Sequence, residues 1–302
     1  MSKKVIVTGG AGFIGSHIVN ALVERGDETH VVDNYATGKH EDRFNQNATY
    51  HELDILETST LQKIFESADV VFHAAARPRV PYSIDHPVET TEVNITGTVS
   101  VLAAAVSAKV RRLVYSGSSS VYGIQNKMPL TETMSPDPIH PYGLQKYVGE
   151  LFVRMWPGIY GIETVTLRYF NVYGPGLDPY GPYALAIGQF LMARKEGRPI
   201  TIYGDGTITR DFTHVNDIVK ANLLAAESPK VGEGEIINVG AGRNVSIQGL
   251  AEMFGGPIEY GPSRIEAHDS LADTRKAKEL LDWEPTIRLE DGIAELKQLF
   301  GI

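Results

Sequence analysis

Tyr142 and Lys146 stand four residues apart at the start of a segment with helical spacing, so their side chains share one face. A phenol has an ordinary pKa of about 10, too high for a base at neutral pH. A nearby ammonium, or the positive ring of a nicotinamide, favours the phenolate and lowers that value. The lysine can also reach ribose hydroxyls. Alone, Tyr-x-x-x-Lys is common, and most such pairs are solvated helix positions. A second group of candidates is Ser116-Gly117-Ser118-Ser119-Ser120-Val121-Tyr122-Gly123, directly after an apolar run. Hydroxyls placed there can share a proton with a substrate alcohol and a tyrosinate. The competing reading is a small-residue loop that bonds its own backbone.

A third candidate lies near the start of the chain. Gly10-Ala11-Gly12-Phe13-Ile14-Gly15 satisfies G-x-G-x-x-G, and Gly9, Gly12 and Gly15 form a series spaced by three. The motif closes a strand and opens a helix, which is the context it requires. Its glycines let the backbone approach a pyrophosphate, whose charge the helix N-terminus stabilises. The next strand ends at Asp33-Asn34. An acid there bonds both ribose hydroxyls and repels a 2′-phosphate, which favours NAD over NADP. Asp54 and Ile55, after the third strand, either flank the adenine or serve as a helix cap and a core residue.

The elements that must hold these groups are short β-branched runs alternating with helical patterns. Val5–Thr8, Thr29–Val32, Val70–His73, Leu113–Ser116 and Thr164–Leu167 read as strands; Phe13–Arg25, Thr60–Glu66, Asn94–Val106 and Pro141–Met155 read as helices. Pro157-Gly158 reads as the stop of the last of these. The pattern predicts a Rossmann-like, doubly wound α/β fold: a parallel sheet covered on both faces. Asn171–Tyr183, rich in Gly, Pro and Tyr, reads as a long functional loop. Helix and strand follow at Ala184–Glu196 and Ile200–Tyr203, then Asn216–Ala226 and Glu235–Val239 return to the sheet. The tail from Ser246 reads as short helices and loops of a smaller lobe. The division expected is a cofactor domain of residues 1–170 plus about 208–239, and a substrate lobe of about 171–207 and 240–302.

At 302 residues and 42% hydrophobic, the chain can bury a substantial core. A net charge of −9 argues against general phosphate-backbone binding, so no nucleic-acid partner is expected. The absence of cysteine excludes disulfides, thiolate metal sites and cysteine nucleophiles, and no metal site is expected. No stretch has the length of a secretory signal or a membrane span, which predicts a cytoplasmic protein without membrane contact.

Taken together the motifs resemble the extended short-chain dehydrogenase/reductases, of the UDP-glucose/UDP-N-acetylglucosamine 4-epimerase group. The matching stretches are TGGAGFIG (Thr8–Gly15), HAAA (His73–Ala76), Asn94, SSSVYG (Ser118–Gly123), YGLQK (Tyr142–Lys146) and RYFNVYG (Arg168–Gly174). GDGTITRDFTHVND (Gly204–Asp217) and SLAD (Ser270–Asp273) extend the match over nearly the whole chain. The resemblance implies that Tyr142 is the base, Lys146 its partner and Ser118 the catalytic hydroxyl. It adds Thr37, Gly38, Ala74, Ala75, Ala76, Asn94, Ser116 and Tyr169 to the NAD site. Toward the UDP-sugar it implies Ser119, Asn171, Arg210, Arg264 and Glu266, the Ala186-Ile187 backbone near the uracil, and Tyr203 beside that base.

The implied reaction is oxidation at C4, rotation of the 4-keto sugar, and reduction on the other face, with transient NADH. Sugar dehydratases carry an Asp-Glu pair after the catalytic hydroxyl, and decarboxylating relatives a Glu before Val-Tyr-Gly; here both places are serine, Ser119 and Ser120. In the resemblance Ser270 falls where 4-epimerases place a residue beside the sugar C2 group, and a small residue there implies room for an acetamido group. The expectation is interconversion of UDP-glucose and UDP-galactose and also of UDP-GlcNAc and UDP-GalNAc. The alternatives are a UDP-glucuronate 4-epimerase, an NAD(P)-dependent nucleotide-sugar reductase, and a non-catalytic dinucleotide-binding protein. Family analogy adds a homodimer, formed through Asn94–Val106 and Pro141–Met155.

Overall fold

The computed structural model describes residues 2–125, 127–180, 185–263 and 269–302. Its strands begin β1 (Lys4–Thr8), β2 (Glu28–Asp33), β3 (Thr49–Glu52), β4 (Val70–His73), β5 (Arg112–Ser118) and β6 (Glu163–Tyr169). They continue β7 (Val172–Tyr173), β8 (Ile200–Tyr203), β9 (Thr209–Asp211), β10 (Thr213–His214), β11 (Glu233–Val239), β12 (Asn244–Ser246) and β13 (Ile258–Gly261). The helices that matter below are α1 (Phe13–Glu24), α2 (Thr58–Phe65), α3 (Val80–Asp85), α4 (Pro87–Thr91), α5 (Gly97–Ser107) and α6 (Pro141–Tyr160). After them come α7 (Ala186–Lys195), α8 (Val215–Glu227), α9 (Ile247–Phe254), α10 (Arg275–Leu281) and α11 (Leu289–Phe300).

Seven strands form one parallel sheet in the order β11-β6-β5-β4-β1-β2-β3. Side chains alternate across it because the strand period is two. Val5 and Val7 of β1 join one core with Val31, Phe72, Val114 and the inner faces of α1 and α8. Ile6 joins the opposite core with Val32, Val71, Leu113 and residues of α2, α5 and α6. Both faces are thus covered, as the apolar strands predict. The strand order reverses between β1 and β4, the kind of switch point beyond whose carboxyl strand ends doubly wound sheets bind their ligands. A third core, with Phe190, Leu191, Ile202, Phe254 and Leu296, belongs to α7, β8, α9 and α11.

Two expectations are corrected. Helix α6 does not stop at Pro157 but runs to Tyr160, where Gly161 ends it in the left-handed conformation. Proline has no N–H for the Val153 carbonyl, but the Thr164 hydroxyl donates to that carbonyl at 2.6 Å. The tail is not confined to the smaller lobe either. Ala277, Leu281 and Trp283 seal the first core, and Trp283 Nε1 donates to the Asp217 carbonyl at 2.9 Å.

Candidate active site

The glycine loop joins β1 to α1 with little space to spare. A Cβ on Gly9, whose φ is +72°, would fall 2.6 Å from Ala75 N. One on Gly15 would collide with the Gly9 carbonyl, so the loop backbone packs on itself and on Ala74-Ala75 after β4. Gly12 differs: a Cβ there meets only the Gly9 carbonyl, at 3.2 Å. Its missing side chain leaves open space beside the loop. Phe13, Ile14 and Gly15 open α1, and their N–H groups lie in the turn that has no helical acceptors.

At the end of β2, Asp33 accepts from Ala11 N at 3.0 Å and from Tyr35 N at 2.9 Å. Burial still pushes its carboxyl above the usual range, an effect those backbone donors oppose. Asn34 donates to Asp54 at 2.7 Å, tying the second and third strand ends together. Asp54 also caps the turn at Leu56 N, and Ile55 is buried in the second core. Thr37 and Gly38 are exposed in the loop after β2, and Ala76 is half-buried after β4.

Catalytic candidates converge from β5 and α6. Ser118 ends β5 and caps a 3-10 turn, Ser119–Tyr122, by accepting from Ser120 N. Tyr142 is half-buried; burial pushes its phenol up to about 12, and hydrogen bonding with Ser118 opposes that rise. Lys146 is 4% exposed and burial lowers its ammonium to about 7. Its Nζ donates to the Ser116 carbonyl at 2.8 Å and lies 4.8 Å over the Tyr115 ring. Lys146 is not among the groups that shift the Tyr142 phenol. An ammonium has three donors. Among the described residues Lys146 has one acceptor, so donors remain for ribose hydroxyls.

The first turn of α6 is anchored on both sides. Tyr142 N donates to Ser83 Oγ at 3.1 Å, and Gly143 N to His140 Nδ1 at 3.0 Å. Deeper along the same face, Arg168 and Glu150 form a bidentate ion pair in which each side chain is 1% exposed. Asn94 lies in a π-turn, Glu92–Thr96, between α4 and α5. Its side chain accepts from Arg77 N at 2.7 Å and donates to Gln145 at 2.8 Å, joining the loop after β4 to α6. Tyr169 holds Ser116 at 3.1 Å and Asn222 at 2.9 Å.

The sugar-nucleotide candidates lie on the lobe side. Asn171 has φ of +26°, a strained region that asparagine tolerates, and donates to the Asp211 carbonyl at 2.9 Å beside Arg210. Asp211 is fully buried and accepts from Ala241, Gly242 and Ala272 backbone N–H groups. That last bond draws in the Ser270–Asp273 stretch, which also pairs with Leu130. Ala186 begins α7, Ile187 is buried beneath it, and Tyr203 lines a cavity of about 290 Å³ with Tyr180, Gln189 and Arg198. Arg264 and Glu266 lie outside the described residues. Reading the sequence missed Ser83, Asp211 and Asn222; each is a polar residue known only by its burial and partners, with no spacing to mark it.

The donor set fits a dinucleotide: open Gly12, the α1 N-terminus, Asp33 at the second strand and donors left on Lys146. The model of the NAD dependent epimerase/dehydratase family matches residues 5–240. The chain belongs to that family. NAD is its cofactor. Among solved members, the UDP-glucose 4-epimerase of Thermotoga maritima with UDP-glucose has a TM-score of 0.93 at 37% identity, covering 99% of this chain and 98% of that one. The UDP-N-acetylglucosamine 4-epimerase of Methanobrevibacter ruminantium M1, in complex with UDP-N-acetylmuramic acid, has a TM-score of 0.94 at 35% identity with the same coverage. A UDP-N-acetyl-alpha-D-glucosaminuronate decarboxylase of Bacillus cytotoxicus is 33% identical over 99% of this chain and 98% of its own. Among the described residues no helix is long and apolar enough to cross a membrane, and none form a metal cluster.

Proposed function

We propose that this epimerase-family protein inverts C4 of UDP-hexoses, acting on UDP-glucose/UDP-galactose and on UDP-GlcNAc/UDP-GalNAc. The observation that carries this reading is buried Lys146, one helical turn along α6 from Tyr142 and bonded to the Ser116 carbonyl two residues before Ser118, which brings the three side chains to the end of β5. Bound NAD supplies a reversible hydride acceptor and a positive ring that favours the phenolate. Tyr142, helped by a hydrogen bond from Ser118, takes the proton from the sugar 4-hydroxyl. Lys146 orients the ribose, and Gly12 with the α1 N-terminus takes the pyrophosphate. Asn171, Arg210 and the Ala186-Ile187 backbone fix the UDP end, so that the oxidised sugar can turn over while its handle stays fixed. Ser119 and Ser120 offer no carboxyl for elimination or decarboxylation, which supports epimerisation over the decarboxylase chemistry of the Bacillus relative.

The test is an assay of the purified protein with four UDP-sugars and no added NAD. Epimer ratios approaching equilibrium support the reading; consumption of added cofactor in step with product would replace it by a reductase, and turnover of UDP-glucuronate alone by a UDP-glucuronate 4-epimerase. Ser270 gives the finer test. It is half-buried in the stretch held against Asp211 and Leu130. Ser270→Tyr should abolish turnover of the N-acetyl pair and spare the other pair; equal loss on both refutes the gate. A homodimer is part of the proposal, since Leu144, Leu151 and Met155 leave an exposed apolar stripe along α6.

A further inference from the structure

Ser118 has more partners than a lone catalytic hydroxyl requires. Its Oγ lies 2.8 Å from Ser120 Oγ and accepts from Ser120 N at 3.2 Å. Ser118 also favours the Tyr142 phenolate, opposing the rise that burial imposes on that phenol, and the Lys146 bond to the Ser116 carbonyl ties the first turns of α6 to this end of β5. A serine hydroxyl has one proton and two lone pairs. Ser120 N–H occupies one lone pair. A hydroxyl stabilises a phenolate only by donating to it, so the Ser118 proton belongs toward Tyr142. The remaining lone pair faces Ser120 Oγ, and for that contact to be a bond Ser120 must donate.

We propose that Ser120 is a positioning residue: its hydroxyl donates to Ser118 and so turns the Ser118 proton toward the tyrosinate. The inference rests on the reading of Ser118 and Tyr142 given above. Ser120 acts through Ser118 and neither gains nor loses a proton in the reaction; the proton from the sugar oxygen ends on Tyr142. Such a chain of hydroxyls polarises cooperatively, each donor strengthening the next. The backbone fixes the chain in place. A Cβ on Gly143 would fall 2.7 Å from the Ser120 carbonyl, so this peptide sits against the first turn of α6. Behind it Val121 and Tyr122 are fully buried, and Tyr122 donates to Asn238 at 2.7 Å.

The experiment compares Ser118→Ala, Ser120→Ala, the double variant and Ser120→Thr as purified holoproteins with UDP-glucose. Bound NAD and thermal midpoint report on folding. Ser120→Ala should lower kcat about 3- to 15-fold with KM unchanged, the size of one lost hydrogen bond. Loss of that support raises the phenol pKa, so the acidic limb of the kcat profile should move up by about half a unit to one unit. The double variant should be no slower than Ser118→Ala, and Ser120→Thr should restore both rate and profile. An unmoved limb, multiplicative losses in the double variant, or a Ser120→Ala protein that sheds NAD or melts early overturns the proposal. If Ser118→Ala is itself silent, the reading of the site falls with it; a damaging Ser118→Ala beside a silent Ser120→Ala sinks this inference alone.

Discussion

His73 closes β4 with both ring nitrogens engaged: Nδ1 with Thr8 Oγ1 at 2.7 Å and Nε2 with Thr98 Oγ1 at 3.1 Å. It is fully buried, and burial first, then Lys146, lowers its pKa to about 3. The unfolded chain has an ordinary imidazole near 6.5, so below that pH the unfolded state binds the extra proton. The neutral ring's contribution is therefore intact above about pH 6.5 and lost progressively as pH falls toward 3. Between pH 7 and pH 5 the loss from this group should be about 2 kcal/mol. Urea unfolding across that range, compared with His73→Phe, checks it: a variant with the same pH slope as the parent contradicts the assignment. His73 stood in the sequence as part of HAAA, but its neutral state was not legible there, because desolvation depends on what packs around it. The places of Asp33 at a strand end and of the three glycines between a strand and a helix were legible, since backbone geometry after a strand sets them. Ser83, which holds the backbone of Tyr142, carries no such local signature.

Helix α6 carries Tyr142, Lys146 and Glu150 on one face and continues past its proline to Tyr160. The Thr164 hydroxyl supplies the bond that Pro157 cannot, between two fully buried residues. Thr164→Val leaves the Val153 carbonyl without a partner and should cost about 1–3 kcal/mol, seen as a lower urea midpoint with unchanged slope. Adding Pro157→Ala should recover most of the loss, because an alanine N–H can take the carbonyl. No change in the first variant would mean that the end of α6 contributes little. The sequence placed the strand and helix types correctly but ended this helix early. Proline and glycine are local signals, whereas the compensating hydroxyl comes from the next strand. The tail shows the same limit. Trp283 is a lone aromatic in sequence and becomes a plug for the first core only once α8 is in place.

At the scale of the molecule, alternating apolar strands and helices sufficed to read a parallel sheet with both faces covered. The lobe was less legible because its short strands, such as β9 with β12 and β8 with β13, pair across long stretches of chain. The proposed dimer belongs to this scale too. Leu144, Leu151 and Met155 follow one helical stripe, and Val88 on α4 is 81% exposed. Leu151→Glu with Met155→Glu should shift the mass in sedimentation from two chains to one; an unchanged mass would place the interface elsewhere. The central claim is that Tyr142 removes the proton that lets C4 be oxidised. Its most direct test is Tyr142→Phe in the holoprotein, with bound NAD measured alongside epimerisation of UDP-glucose. The account predicts retained NAD and a kcat lower by about a hundred- to ten-thousand-fold. A phenylalanine variant that turns over at the parent rate would contradict it.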